Sequence, residues 1–594
     1  MKLVRLKTAT PAHDDTPFTG RSLKQTADWI ESLSRGNPEA CADTLRGALN
    51  LLNRSVLKRA ARFDQLELLR PVVNDACVGL VARYKASGLP LAESQQQLAD
   101  QVLGLYAQLA TGYKIAVNEQ VEAWEAGRRH ALALQLAIQR ALLALGRVLL
   151  ESYRIYAPEP PHLWRDVHTL YRNAELAKLQ ALPVEGTRDA EETALSIKQA
   201  YLRTTVLALT NPYHLMQGEA EELYRRIGRW VHFVQLQAPT SDAALAGHFG
   251  VDLGSDFPPR YYPRGVAQPP STAPRLLNVD QLIDTLDHQI QVSNESLAQS
   301  RSAAALSSRL QRDMYIRFRD ALAGRGERRS ERRSTIARLV MVEGLSGCHF
   351  FLNGRQPFAP EKTESSWSSR LEQGGGSDGL SLIGDDEPFT HPRAEGDRTS
   401  HFKAYDYEAD DAWNRAQRAG GAHTAEKRKR RVPYQAHSWH RKNESEGGLA
   451  LFCAQWCPTQ SRVGELVAYC DQDTPNADEW RIGTVRWLRT RPSRGLELGI
   501  KRLAKNGHAV GIKALTGAGK GSEYLRGILI PRVNPLTDQA TLIAPAAVYD
   551  VGSLVRLSLD ELVLHARLTE LLETTRQFSH FGFKLVEAPV DFGQ

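Results

Sequence analysis

A chain of 594 residues is too long to fold around one core, and at about 100–200 residues per domain it should divide into three or four units. Its 42% hydrophobic fraction can fill those cores, while a formal charge of +7 is too mild and too evenly spread for a dedicated nucleic-acid binder. Six cysteines in such a length exclude a disulfide framework.

The N-terminus, Met1-Lys2-Leu3-Val4-Arg5-Leu6-Lys7, lacks the apolar core of a signal peptide. The most apolar stretch, Ala131 to Leu150, is interrupted by Gln135, Gln139, Arg140 and Arg147, which suits a buried helix better than a membrane span. A cytoplasmic protein is expected. From about Ser22 to Leu236 apolar residues recur at three-to-four spacing, as in Leu45, Leu49, Leu52 and Val56 or Leu98, Val102, Leu105 and Leu109. Breaks at Gly88-Leu89-Pro90, at Pro158 to Pro161 and at Asn211-Pro212 cut this region into helical hairpins, so residues 1–236 should form an all-α bundle or hairpin stack. Residues 237–278, with Pro258, Pro259, Pro263, Pro269 and Pro270, read as a linker or extended strap. A single connecting helix is expected over 279–324.

Beyond Arg333 the period changes to that of strands. Ala337 to Glu343, His349 to Leu352, Leu449 to Ala454, Val463 to Cys470, Trp480 to Leu488 and Leu496 to Leu503 read as short β-rich runs, implying an antiparallel barrel or sandwich over 325–505. Residues 354–431, with Gly374-Gly375-Gly376-Ser377, many charges and few aliphatics, read as a disordered insertion within it. The extension 506–594 should add strands at Glu523 to Pro531, Ala540 to Tyr549 and Leu554 to Leu557, a helix near Leu562 to Arg576, and a strand at Phe581 to Val586. It is either a second barrel or a lid. The fold class expected is therefore multidomain α + β.

Two local patterns carry chemistry. Asn443-Glu444-Ser445-Glu446-Gly447-Gly448 has the form N-x-S-x-x-G: in a strand, Asn443 and Ser445 face the same side and could address one ligand, and Gly447 and Gly448 allow a close backbone approach. The same residues also make an ordinary turn. Upstream, the run from Arg325 to Arg333 holds R-x-x-x-R twice, as Arg328 with Arg332 and Arg329 with Arg333. Guanidinium groups so spaced can fork onto phosphates, bind the O6/N7 edge of guanine and stack on purines, or simply form a solvated helix end. A second basic run, Lys427 to Arg431, stands closer to Asn443 but offers Lys-x-x-x-Arg.

Together with the strand sequences Val463 to Val467, Trp480 to Leu488 and Leu496 to Ile500, these patterns resemble the PilZ domain over about Arg325 to Leu503. The resemblance implies a six-stranded antiparallel barrel that binds cyclic di-GMP. By the same resemblance Arg328, Arg329, Arg332 and Arg333 would clamp phosphate and guanine, Asn443 and Ser445 would hydrogen-bond a guanine, and Gly447 and Gly448 would keep the strand close to the ligand. The chain departs from the family in the wide gap between the arginines and Asn443, which an inserted loop explains at little entropic cost.

Other constellations fail. Gly517-Ala518-Gly519-Lys520-Gly521-Ser522 lacks the first glycine of a phosphate loop, since Ala514 stands there, and Gly521 stands where Ser or Thr should bind magnesium. His437 and His440 have no further ligand at metal spacing, and Cys453 and Cys457 lack a His cluster. The expectation is a non-enzymatic effector with no cofactor or metal and no nucleic acid, whose ligand is cyclic di-GMP and whose helical half meets a protein partner. The alternative is a helical scaffold with a degenerate barrel that binds no nucleotide.

Overall fold

The computed structural model describes residues 2–12, 16, 21–57, 61–183, 195–241, 245–266, 271–299, 304–323, 333–360, 434–453, 460–472, 480–491, 495–517, 523–531, 539–559 and 562–587. The chain divides into two compact units, Met1–Pro360 with Ala436–Gln594, and Glu361–Gln435. The described residues lie almost wholly in the first.

Eight helices open the fold: α1 (Leu23–Glu31), α2 (Pro38–Arg54), α3 (Ala61–Val81), α4 (Glu93–Glu125), α5 (Ala131–Arg154), α6 (Leu163–Ala177), α7 (Ile197–Leu209) and α8 (Glu219–Trp230). Local chemistry sets several starts. Ser22 and Ser196 form capping boxes with Gln25 and Gln199, and Asn37 caps α2 ahead of Pro38. By length and composition α5 could cross a membrane, but most of it is buried in the fold, where Leu134, Ile138, Leu142 and Leu149 are fully covered. Its polar interruptions are satisfied there: Arg140 reaches Glu67 at 3.0 Å, and Gln139 and Gln135 donate to backbone carbonyls of Leu195 and Leu182.

The segment 237–278 is not a linker. It belongs to a four-stranded antiparallel sheet, β1 (Gln235–Gln237), β2 (His248–Asp252), β3 (Arg260–Tyr262) and β4 (Pro274–Asn278), in the order β1-β4-β2-β3. Its prolines lie outside β2, and Pro274 only opens β4, so the ladder keeps its donors. The single connecting helix is a hairpin instead, α9 (Asp280–Gln299) packed on α10 (Ala304–Leu322). Leu282 and Leu286 of the first helix and Tyr315 and Phe318 of the second are buried, so each helix turns an apolar stripe inward.

The remainder builds two closed six-stranded barrels. The first contains β5 (Arg333–Glu343), β6 (His437–Ser445), β7 (Gly448–Cys453), β8 (Leu466–Asp471), β9 (Arg481–Thr490) and β10 (Leu496–Ala504), ordered β10-β7-β6-β5-β8-β9. The second contains β11 (His508–Thr516), β12 (Leu525–Ile530), β13 (Thr541–Pro545), β14 (Leu554–Leu559), β15 (Leu562–Thr574) and β16 (Phe578–Val586), ordered β11-β12-β13-β16-β15-β14. Taken in chain order within each barrel, the strands run third, second, first, fourth, fifth, sixth around both closures, so the second barrel repeats the topology of the first. The C-terminal extension is thus a barrel.

Two assignments of element type are overturned. His349 to Leu352 belongs to a helix, α11 (Leu345–Leu352), which Gly344 admits at φ +82. Its buried, mostly apolar face is a wedge between the barrels: Phe351 packs on Trp480 at 4.9 Å, and α11 touches β8 on one side and β11 and β12 on the other. The helix expected near Leu562 to Arg576 is strand β15 over Leu562–Thr574 instead; its pairing with both β14 and β16 outweighs the helical propensity of its leucines and glutamates. Residues 354–360 of the expected insertion are described, with Phe358 edge-on to His349 at 5.1 Å; from residue 361 that expectation lies outside the described residues.

The helical half joins the first barrel through main-chain hydrogen bonds. Leu89 and Ser461 exchange N–H···O bonds of 3.0 and 2.8 Å, and Thr490 donates to the Tyr156 carbonyl at 2.9 Å. Beside this seam Glu343 accepts from the Ser461 hydroxyl, and Glu465 is 6% exposed. Burial first, and then Glu343, push the Glu465 carboxyl up to about 8; burial raises Glu343 to about 7 against the pull of Ser461 and Arg462. The folded chain therefore retains protons that the unfolded chain releases at lower pH, so this contribution is complete in acid and is lost as pH rises toward 8. Relative to the wild type, Glu465→Gln should gain melting temperature as pH is raised from about 5 to about 8. A difference that stays constant across that range would contradict the shift.

Candidate functional site

Strand β5 pairs antiparallel with β6, so that Arg333 stands opposite Glu444 and Ser334 opposite Asn443. The end of the arginine run is thereby brought directly against the N-x-S strand, although the two are separated by more than a hundred residues of chain. Of the arginines singled out in sequence, Arg333 is described and exposed; Arg328, Arg329 and Arg332 lie outside the described residues.

Asn443 and Ser445 do share a face. They stand opposite Ala450 and Gly448, which in turn stand opposite Gly499 and Lys501, whereas Leu449 and Leu451 between them are buried in the core. Among the described residues the Asn443 amide makes no side-chain hydrogen bond, while the Ser445 hydroxyl donates to the Gly448 carbonyl at 3.3 Å. The floor beyond them is flat because its residues are small. At Gly499 a Cβ would lie 1.9 Å from Nε1 of Trp487, so the indole rests on that glycine and walls one side of the face.

The glycines differ in role. A Cβ on Gly448 would meet the Ile500 carbonyl oxygen at 2.2 Å, so this position is closed by the neighbouring strand β10, a packing demand additional to any ligand. A Cβ on Gly447 would meet nothing within 4 Å.

Charge at this end of the barrel is ordered by shared carboxylates. Arg441 reaches Glu444 at 2.8 Å and Asp471 at 3.6 Å, Arg481 reaches Asp471 at 3.3 Å, and Arg502 pairs with Glu444 and lies 3.3 Å from the Tyr469 hydroxyl. Three arginines thus share two carboxylates, and Arg333 stands opposite Glu444 in the β5–β6 register, so cations outnumber these acids and the field is positive. Nearby, Glu497 bridges Lys442 at 2.6 Å and Arg491 at 2.9 Å. Burial works against its charge, but the two cations hold it below the ordinary carboxylate range. Arg491 also lies over Phe452, on which His440 stacks at 5.2 Å, so His440 serves packing. The arrangement can receive a phosphate-bearing ligand with a planar base.

Sequence reasoning missed Trp487, Arg441 and Arg502. The readable signal for Trp487 was Gly499, a glycine inside an apolar strand, which marks a close approach.

Comparison with known families settles what this barrel is. Residues 248–508 match the model described as the middle PilZ domain of the cyclic-di-GMP receptor FimW. These residues are a PilZ domain. Flanking this PilZ domain, residues 24–241 match the N-terminal domain and residues 510–586 the C-terminal β-barrel domain of the same receptor. Along its length the chain is 27% identical to the cyclic-di-GMP receptor FimW of Pseudomonas aeruginosa, over 98% of this chain and 93% of the relative. No solved structure matches it.

The glycine contrast is testable on this PilZ barrel by thermal melting. Gly448→Ala should cost about 1–3 kcal/mol, since a backbone oxygen must shift, and Gly447→Ala well under 1 kcal/mol. Equal losses would mean that the close approach of β7 to β10 is misread.

Proposed function

We propose that this protein is a bacterial cyclic di-GMP receptor of the PilZ family, which couples binding of the dinucleotide to an interaction of its helical half with a protein partner. The observation that supports the reading is the β5–β6 register, which sets Arg333 opposite Glu444, the residue between Asn443 and Ser445 on the neighbouring strand of a closed barrel. Arg328, Arg329, Arg332 and Arg333 would supply forked, charge-assisted contacts to phosphate and to the guanine O6/N7 edge. Asn443 and Ser445 would hydrogen-bond a guanine, and Trp487 would bound the base on its far side. The relative's name as a cyclic-di-GMP receptor supports the same ligand.

The protein works as an effector rather than an enzyme, in the cytoplasm, with cyclic di-GMP as ligand rather than cofactor. Ligand binding shifts the chain only as far as the ligand prefers one arrangement of its domains. The arginine run links α10 to β5, so contacts made by it act on the connection between helical hairpin and barrel.

Titration calorimetry of the full chain with cyclic di-GMP tests the proposal. Arg329→Ala with Arg333→Ala, and separately Asn443→Ala, should weaken binding, the double arginine variant by about a hundredfold or more. Wild-type affinity in the arginine variant would assign the clamp to other residues, and no heat from the wild-type chain would leave a scaffold that binds no nucleotide.

A further inference from the structure

The second barrel places a carboxylate against the flank of the nucleotide face. Glu573 of β15 pairs with Arg486 and with Lys501 of the first barrel, each at 3.3 Å. Lys501 is on the face already described: it stands opposite Gly448, which stands opposite Ser445, so two strand spacings, about 10 Å, separate it from the N-x-S motif. Arg486 is the neighbour of Trp487 in sequence and occupies a register shift where Gly499 pairs with Trp487 but Ile500 pairs with Val485. A matching shift occurs in β15, where Leu571 pairs with Phe581 but Glu573 pairs with His580. Bulges re-aim side chains, and here one on each barrel turns acid and base toward each other.

The burial of the three groups is unequal. Glu573 retains 17% side-chain exposure, while Arg486 and Lys501 retain 43% and 48%. All three line a cavity of about 840 Å³ that also reaches Arg317 and Gly464, so the cations have open volume in front of them. A partly buried carboxylate shared by two half-exposed cations is a contact that another anion can displace without moving the cations far.

We propose that Glu573 is an internal competitor for the ligand's phosphate. In the unliganded chain it occupies Arg486 and Lys501; a phosphate of the bound cyclic dinucleotide takes these cations over, and the second barrel loses its ionic hold on the first. The C-terminal barrel is thus a regulator of ligand affinity. This inference rests on the receptor reading given above.

Calorimetry with cyclic di-GMP on the full chain tests it. Glu573→Gln, which keeps shape and removes charge, should bind about threefold or more tightly than the wild type. Arg486→Ala with Lys501→Ala should bind about tenfold more weakly, and adding Glu573→Gln to that pair should give no further gain. Tighter binding that disappears in the triple variant supports the competitor; Glu573→Gln at or below wild-type affinity overturns it. Where a melting curve shows that Glu573→Gln has lost its fold, the Arg486 and Lys501 variant decides, and wild-type affinity there overturns the proposal. A wild-type chain that binds no cyclic di-GMP removes the receptor reading itself, whereas wild-type binding with an indifferent Glu573→Gln removes only the competitor.

Discussion

Strand β5 meets β6 in a register that sets Arg333 against Glu444 and Ser334 against Asn443, and the site depends on that alignment. Side chains alternate along a strand, so a slip of one residue would turn Asn443 and Ser445 inward and expose what the core now covers. Burial holds the register: Trp439 and Met341 are fully covered, and Leu339 beside them is almost as deep. The ion pair of Arg441 with Asp471 of β8 adds a polar tie that depends on the register. Core packing thus positions the ligand face, and the charges fix its fine alignment.

Around this barrel the other domains attach by different physics. The helical half uses main-chain hydrogen bonds at Leu89 with Ser461 and at Tyr156 with Thr490, next to two carboxyl groups whose burial favours their neutral form. The second barrel uses the apolar wedge α11 together with the salt bridges of Glu573. Apolar contact is insensitive to ions, whereas the Glu573 contacts are open to competition. One interface therefore contains both a durable element and an exchangeable one.

Much of this was readable from residue patterns. The three-to-four rhythm of the helical half and the alternating runs after residue 448 reported their elements because burial enforces those periods. The motif residues Asn443 and Ser445 sat on one face as strand geometry requires. What escaped had physical reasons. The prolines of 237–278 concealed a sheet because they fall outside the paired positions or open a strand. The leucines and glutamates of β15 suit a helix, and only partners on both sides make them a strand. Arg441, Arg502 and Glu573 act through residues distant in the chain, and a pairing of that kind leaves no local spacing to read. The Gly88-Leu89-Pro90 break looked like a hairpin turn; that it docks on Ser461 is information held only in three dimensions.

The first barrel is interrupted between Pro360 and Ala436, and the chain re-enters it at His437, which pairs with Met341. Asn443 and Ser445 lie at the other end of that strand, roughly 20–25 Å away at the rise of an extended chain. Whatever is tethered at this port is joined far from Asn443 and Ser445. Evolution can lengthen, shorten or exchange the graft without touching the Asn443–Ser445 face, which makes the barrel a platform on which new attachments can be tried while that face stays constant.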